Sequence, residues 1–167
     1  MVLGMVALAK DEVLRLMRSS RAEWLATLAR VPVGRMIEPG VVGDWSVKDI
    51  VAHVAWSDRE IALVFRDHHL RGSPLWELPL PERNSAMVAA AREEPLEVVL
   101  ADAERCYEEL LAAIEACNEA DLADSSRFRE MPAEWEPWML LRGTSWGHYP
   151  DHIADIRAWL DVIVRSA

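Results

Sequence analysis

Residues 45–53 read Trp-Ser-Val-Lys-Asp-Ile-Val-Ala-His, and they mark the start of a helix more clearly than any other stretch of the chain. Ser46 is placed to cap the helix and Asp49 sits at its third position. The pair can therefore exchange side-chain and backbone hydrogen bonds, while Trp45 can staple onto Ile50. Beyond the cap, Ile50, Val54, Ser57, Ile61, Val64 and Phe65 recur with helical period and define a buried face. The helix should end between His68 and Arg71, ahead of Gly72 and Pro74.

Working outward, three more segments carry the same period and none sustains a period of two, so the class is all-α. The first runs from about Asp11 to Arg30, with Val13, Met17, Ser20, Trp24, Leu28 and Val31 on one stripe and Pro32 and Gly34 stopping it. The third opens at Pro95 and continues through Leu96, Val99, Ala103, Tyr107, Leu110, Ile114 and Cys117 to about Asn118. The last begins between Trp138 and Pro150 and turns Tyr149, Ile153, Ile156, Leu160 and Ile163 inward. These four helices form a bundle. The connection from Gly72 to Pro95, in which Asn84 to Arg92 can form a short helix, is long enough for an overhand crossing between parallel neighbours. Asp121 to Pro137 reads as a second loop of functional character. With no repeat, linker or low-complexity tract, residues 1–167 are expected to make a single domain.

The chain has 167 residues, 51% of them hydrophobic, enough to bury a core without disulfides or structural metals. A net charge of −10 and the lack of any Lys/Arg-rich face argue against nucleic acid and anionic membranes as partners. Cys106 and Cys117 lie eleven apart on one helix, about 16 Å at 1.5 Å per residue, beyond disulfide reach. They read as buried thiols in a reducing compartment, hence a cytoplasmic protein. Met1 to Ala9 is apolar but too short to span a bilayer and lacks a basic leader, so it is expected to be a loose or docked extension.

Eight Trp against two Tyr and two Phe is an odd ratio for packing alone. Trp24 and Trp159 fit the helix stripes and belong to the core. Trp45, Trp56, Trp76, Trp135, Trp138 and Trp146 lie at helix starts, in loops or beside histidines, and some of them should wall a ligand pocket, although Trp45 has its staple role as an alternative. Asn84 and Tyr149 are candidate polar contacts there, with loop capping and core packing as their alternatives.

His148 and His152 form an H-x-x-x-H pair, which a helix places on one face with Cβ atoms about 5 to 6 Å apart, close enough to share a metal ion. His53, at the edge of the buried stripe of the second helix, is the candidate third ligand. Three neutral imidazoles suit Zn, Ni, Fe or Cu and leave a position open for water or substrate. Glu60 follows His53 by seven residues and Asp155 follows His148 by seven. Each is a candidate catalytic acid or outer partner of the histidines, the alternative being a solvated helix edge. Pro150 stands between the paired histidines, so the helix must kink or begin late. His68 and His69 are explained by the dipole of the helix end and receive no role. No phosphate loop, nucleophile elbow, Cys-x-x-Cys or dinucleotide fingerprint is present.

Gly43-Asp44-Trp45-Ser46-Val47-Lys48-Asp49-Ile50-Val51-Ala52-His53 with Trp56, and Trp146-Gly147-His148-Tyr149-Pro150-Asp151-His152-Ile153-Ala154-Asp155-Ile156, resemble the two signature segments of the DinB/YfiT-like four-helix bundles. Trp76, the Pro81-Glu82-Arg83-Asn84 stretch and the helix from Pro95 resemble the middle region of the ClbS/DfsB group within that superfamily. The resemblance implies an up-down-down-up bundle with a long crossover between the second and third helices. It also implies a divalent-metal site, zinc or nickel, on His53, His148 and His152. The implied function is a metal-dependent or metal-assisted hydrolase or transferase acting on an electrophilic or xenobiotic small molecule. The alternative is a binding protein that sequesters such a molecule, with structural histidines. Pairing through helix faces into a homodimer fits such bundles, as does a monomer.

Overall fold

A computed structural model describes residues 8–165, so most of the expected N-terminal extension, residues 1–7, lies outside the described residues. Four long helices, α1 (Lys10–Leu28), α2 (Val47–Asp67), α4 (Leu96–Ala116) and α7 (Tyr149–Arg165), are joined by the shorter α3 (Leu80–Arg92), α5 (Glu119–Ala123) and α6 (Pro137–Thr144). No strand occurs among the described residues.

Two apolar clusters fix the helix directions. One gathers Trp24 and Leu28 from the end of α1, Val47, Ile50 and Val54 from the start of α2, Val99 and Ala103 from the start of α4, and Ile153, Ile156 and Leu160 of α7. The other gathers Val13 and Met17 from the start of α1, Ile61 and Phe65 from the end of α2, Leu110 and Ile114 from the end of α4, and Trp146 just ahead of α7. Thus α2 and α4 run parallel, α1 and α7 run against them, and the order is up-down-down-up. The chain must return along the length of α2 before α4 can begin, and the segment carrying α3 makes that return.

Ser46 and Asp49 form a complete capping box: the Asp49 amide donates to Ser46 Oγ at 3.1 Å and the Ser46 amide to Asp49 Oδ2 at 2.9 Å. Ser46→Ala should lower the unfolding free energy by about 1 kcal/mol, measured by urea titration. α2 ends at His68, whose φ of 47° closes the helix in the left-handed region.

Three segments depart from the sequence reading. α3 begins at Leu80 rather than Asn84, because Pro81 occupies the first turn, where a missing N–H is harmless and the fixed φ favours a start. The final segment is two helices rather than one; α7 itself begins at Tyr149, within the expected range and late as Pro150 requires, after a turn over residues 145–148. That turn is already wound: Tyr149 N donates to Ser145 O at 3.2 Å, and Pro150 falls in the first turn of α7 without breaking it. Gly147 is required there, since a Cβ would come within 2.7 Å of the Arg142 carbonyl. Residues 121–137, expected to serve function, instead close the end of α2. Phe128 packs against Phe65, and Leu70 N donates to Arg129 O at 2.8 Å. Both cysteines are free and buried.

Candidate metal centre and its pocket

His53 lies in the second turn of α2, His148 immediately before α7 and His152 in its first turn, so the capping box at one place and the late helix start at another aim three imidazoles at one point. His148 Nε2 lies 3.1 Å from His53 Nε2 and 3.1 Å from His152 Nε2. One ligand atom from each ring falls within 4.8 Å of the others. An ion bonded at about 2.0 to 2.1 Å with angles between 90° and 110° sets its ligand nitrogens about 2.9 to 3.4 Å apart, which matches the two short spacings.

Charge agrees with geometry. Burial, then the neighbouring His148 and His152 rings, then Arg83, push His53 down to about 3. Burial and His152 push His148 down to about 4 against the pull of Asp151 and the Thr144 carbonyl. Burial also lowers His152, opposed by Asp155. Near neutral pH all three rings are uncharged. With protons on Nδ1 the three Nε2 lone pairs face one another and suit a cation, and with a proton on one Nε2 that ring donates to its neighbour instead. The three histidines could therefore form a metal site.

The other expected site residues divide. Asp155 lies at His152, Oδ2 to Nδ1 3.5 Å, in reach of its outer ring nitrogen. Glu60 does not serve the histidines; its Oε2 accepts from Ser73 N at 2.7 Å and Trp76 Nε1 at 3.0 Å, and so it anchors the crossover. Seven residues along α2 is about 10 Å of rise, too far for a carboxylate to meet the imidazole. Trp56 and Asn84 line a cavity of about 310 Å³ into which the histidines open. Trp45 flanks His53 instead, ring centroids 5.4 Å apart, and does not line the cavity. Trp146 and Tyr149 are core residues: Tyr149 follows His148 and is turned about 100° away from it, and Trp146, two residues before, packs into the apolar cluster.

Ser57, Trp76, Leu80, Arg83, Met87, Gly143, Thr144 and Asp151 complete the lining. Arg83 stacks its guanidinium 4.7 Å over Trp76, which in turn meets Trp56 at 5.1 Å. Leu80, Arg83, Asn84 and Met87 stand at i, i+3, i+4 and i+7. That stripe was legible in the sequence had α3 been started at Leu80. Gly72 admits the Trp76 ring, since a Cβ there would lie 1.8 Å from Trp76 Cδ1. Gly72→Ala should displace Trp76 and destabilise the fold by about 1–3 kcal/mol, read as a moved Trp76 signal in fluorine NMR of fluorotryptophan-labelled protein and a lowered urea midpoint.

Comparison with known proteins agrees with this architecture. Residues 17–145 match the family described as the mycothiol maleylpyruvate isomerase N-terminal domain. No curated relative matches the sequence. Among solved structures, a protein from Streptococcus pneumoniae superposes with a TM-score of 0.77 at 14% identity, over 95% of this chain and 94% of that one. An uncharacterised protein from Escherichia coli UTI89 gives 0.74 at 13%, over 92% and 93%. A variant of the mycothiol-dependent maleylpyruvate isomerase gives 0.62 at 19% identity, over 88% of this chain and 63% of that one. No helix among the described residues is long and apolar enough to cross a membrane. With three quarters of its length matched, the chain belongs to the mycothiol maleylpyruvate isomerase N-terminal domain family, within the DinB/YfiT-like helical superfamily.

Proposed function

We propose that His53, His148 and His152 hold a divalent ion, zinc or nickel, and that the protein is a metal-assisted hydrolase or transferase for an electrophilic small molecule, protective in the manner of the ClbS/DfsB group. The carrying observation is the convergence of three imidazole nitrogens within 4.8 Å of one another on the wall of a cavity of about 310 Å³. The family description, which names a thiol, suggests a low-molecular-weight thiol as an alternative nucleophile to water.

Held by His53, His148 and His152, a bound ion would supply Lewis acidity to polarise an electrophile and to favour ionisation of a nucleophile. The chain's own residues do the rest. Trp56, Trp76, Leu80 and Met87 exclude water from the substrate's apolar part. Arg83, held by its face on Trp76, keeps its N–H edges free to orient a carbonyl or anionic group. Asp151 at the pocket and Asp155 beside His152 are placed to accept a proton.

The test is turnover. Zinc- or nickel-loaded protein is incubated with an epoxide or an α,β-unsaturated carbonyl, with and without a thiol. Consumption well beyond one equivalent per chain, lost in His148→Ala, supports catalysis. Protection that stops at one equivalent assigns the protein to sequestration instead.

A further inference from the structure

Behind the histidines the bundle buries a second polar cluster that takes no part in the pocket. Asp58 of α2 and Tyr149, the first residue of α7, are fully buried, and Arg21 of α1 nearly so. The Tyr149 hydroxyl donates to Asp58 Oδ2 at 2.7 Å. Arg21 donates to Glu104 Oε2 at 2.8 Å and lies 4.7 Å over the Tyr107 ring, both on α4. Trp24 of α1 stacks on Tyr149, centroids 5.7 Å apart and planes 11° from parallel. Asp58 Oδ1 and the Nε and Nη1 atoms of Arg21 are buried without a hydrogen-bond partner.

Such a cluster is a poor source of stability, because well-packed apolar side chains of the same volume generally do as well or better. Burial pushes the Asp58 carboxyl up to about 7, against the Tyr149 hydrogen bond and the Arg21 charge, so the fold holds it at a disadvantage. Its position suggests a different use. Asp58 sits five residues after His53 on α2, and Tyr149 is next to His148. The backbone of α7 runs close to α1 over more of its length than to α2, and although α2 and α7 share one apolar cluster, apolar contact is non-directional and does not by itself fix their register. A three-nitrogen centre needs that placement held to within about 0.5 Å.

We propose that Asp58, acting through the Tyr149 hydroxyl, is a positioning residue that sets the register of α7 against α2 and so holds His148 and His152 opposite His53. The consequence for metal binding rests on the metal-centre reading above; the register itself does not.

Two measurements on the full chain separate these. The first titrates Co²⁺ into Tyr149→Phe, Asp58→Leu and Asp58→Asn and records the ligand-field spectrum of the folded protein. Tyr149→Phe and Asp58→Leu should weaken Co²⁺ binding about 10–100-fold, the range for loss of an outer partner, and alter the spectrum. Asp58→Asn keeps an oxygen that accepts from Tyr149 and should restore both. The second needs no metal: spin labels at Arg66→Cys on α2 and Ala158→Cys on α7 should give one narrow distance distribution, shifted or broadened by Tyr149→Phe and by Asp58→Leu. An unchanged distribution in both variants overturns the proposal, even if they melt at lower temperature. A wild-type chain that binds no Co²⁺ while the distance responds overturns the metal reading and leaves the register role standing.

Discussion

His148→Ala should abolish divalent-metal binding, lowering affinity by well over the roughly 100-fold that removal of an outer partner can cost. His148 is the hub of the centre: its Nε2 is 3.1 Å from both other ring nitrogens, so its loss leaves only His53 and His152 to hold an ion. His53→Ala and His152→Ala should also empty the site, each leaving two imidazoles where a stable zinc site needs at least three protein ligands. His68→Ala is the control. Its ring stacks on Phe128 and meets Asp121 at 3.2 Å, remote from the centre, and metal content should stay at the wild-type level. Elemental analysis of untagged protein after dialysis against a fixed free-ion concentration reads all four. Equal loss in His68→Ala, or none in His148→Ala, contradicts the assignment.

The metal-free protein should lose stability as pH falls from 6.5 toward 4. An unfolded histidine takes its proton near 6.5, whereas His53 in the fold waits until about 3 and His148 until about 4, with His152 lowered too. Between those values the unfolded chain binds more protons, so stability present above 6.5 is withdrawn as the pH drops. Asp58 works the other way: raised to about 7, it holds a proton that the unfolded chain has released, and its contribution grows as pH falls from 7 to about 4. A pKa that differs by one between the folded and unfolded chain corresponds to about 1.4 kcal/mol, so three lowered histidines against one raised carboxyl leave a net loss of a few kcal/mol at pH 4. Urea unfolding of the chelated protein between pH 7 and 4 measures it. His53→Leu, which removes the most depressed ring, should flatten the profile. Stability that is level or rising toward pH 4.5 would mean the rings are not held neutral.

Much of the fold was legible because its signals are local. The Ser46–Asp49 box, the stripe from Ile50 to Phe65 and the stripe from Val99 to Ile114 each specify a helix from a few neighbouring residues, and all three occur as read. The convergence of His53, His148 and His152 was reached from spacing within two segments and a resemblance that joins them. Errors arose where a side chain's partner comes from a distant element. Glu60 shares a helix with His53, but its partners are Ser73 and Trp76, which only the path of the crossover brings near. Tyr149 adjoins His148 in sequence, but Asp58 and Trp24 claim it for the interior. Pro150 demands a kink or a late start, and the late start is what occurs, whereas the helix expected from Asn84 begins earlier because Pro81 occupies its first turn, where proline favours a helix. Arg83 escaped notice because a single charge in a proline-rich stretch carries no period until the helix around it is known.

X-ray absorption of the zinc-loaded protein addresses the metal centre most directly. The expected spectrum shows one ion per chain with nitrogen scatterers at about 2.0 to 2.1 Å and the outer-shell pattern of three imidazoles. A shell with fewer than three imidazoles, or a chain that takes up no ion at equimolar zinc, would contradict it.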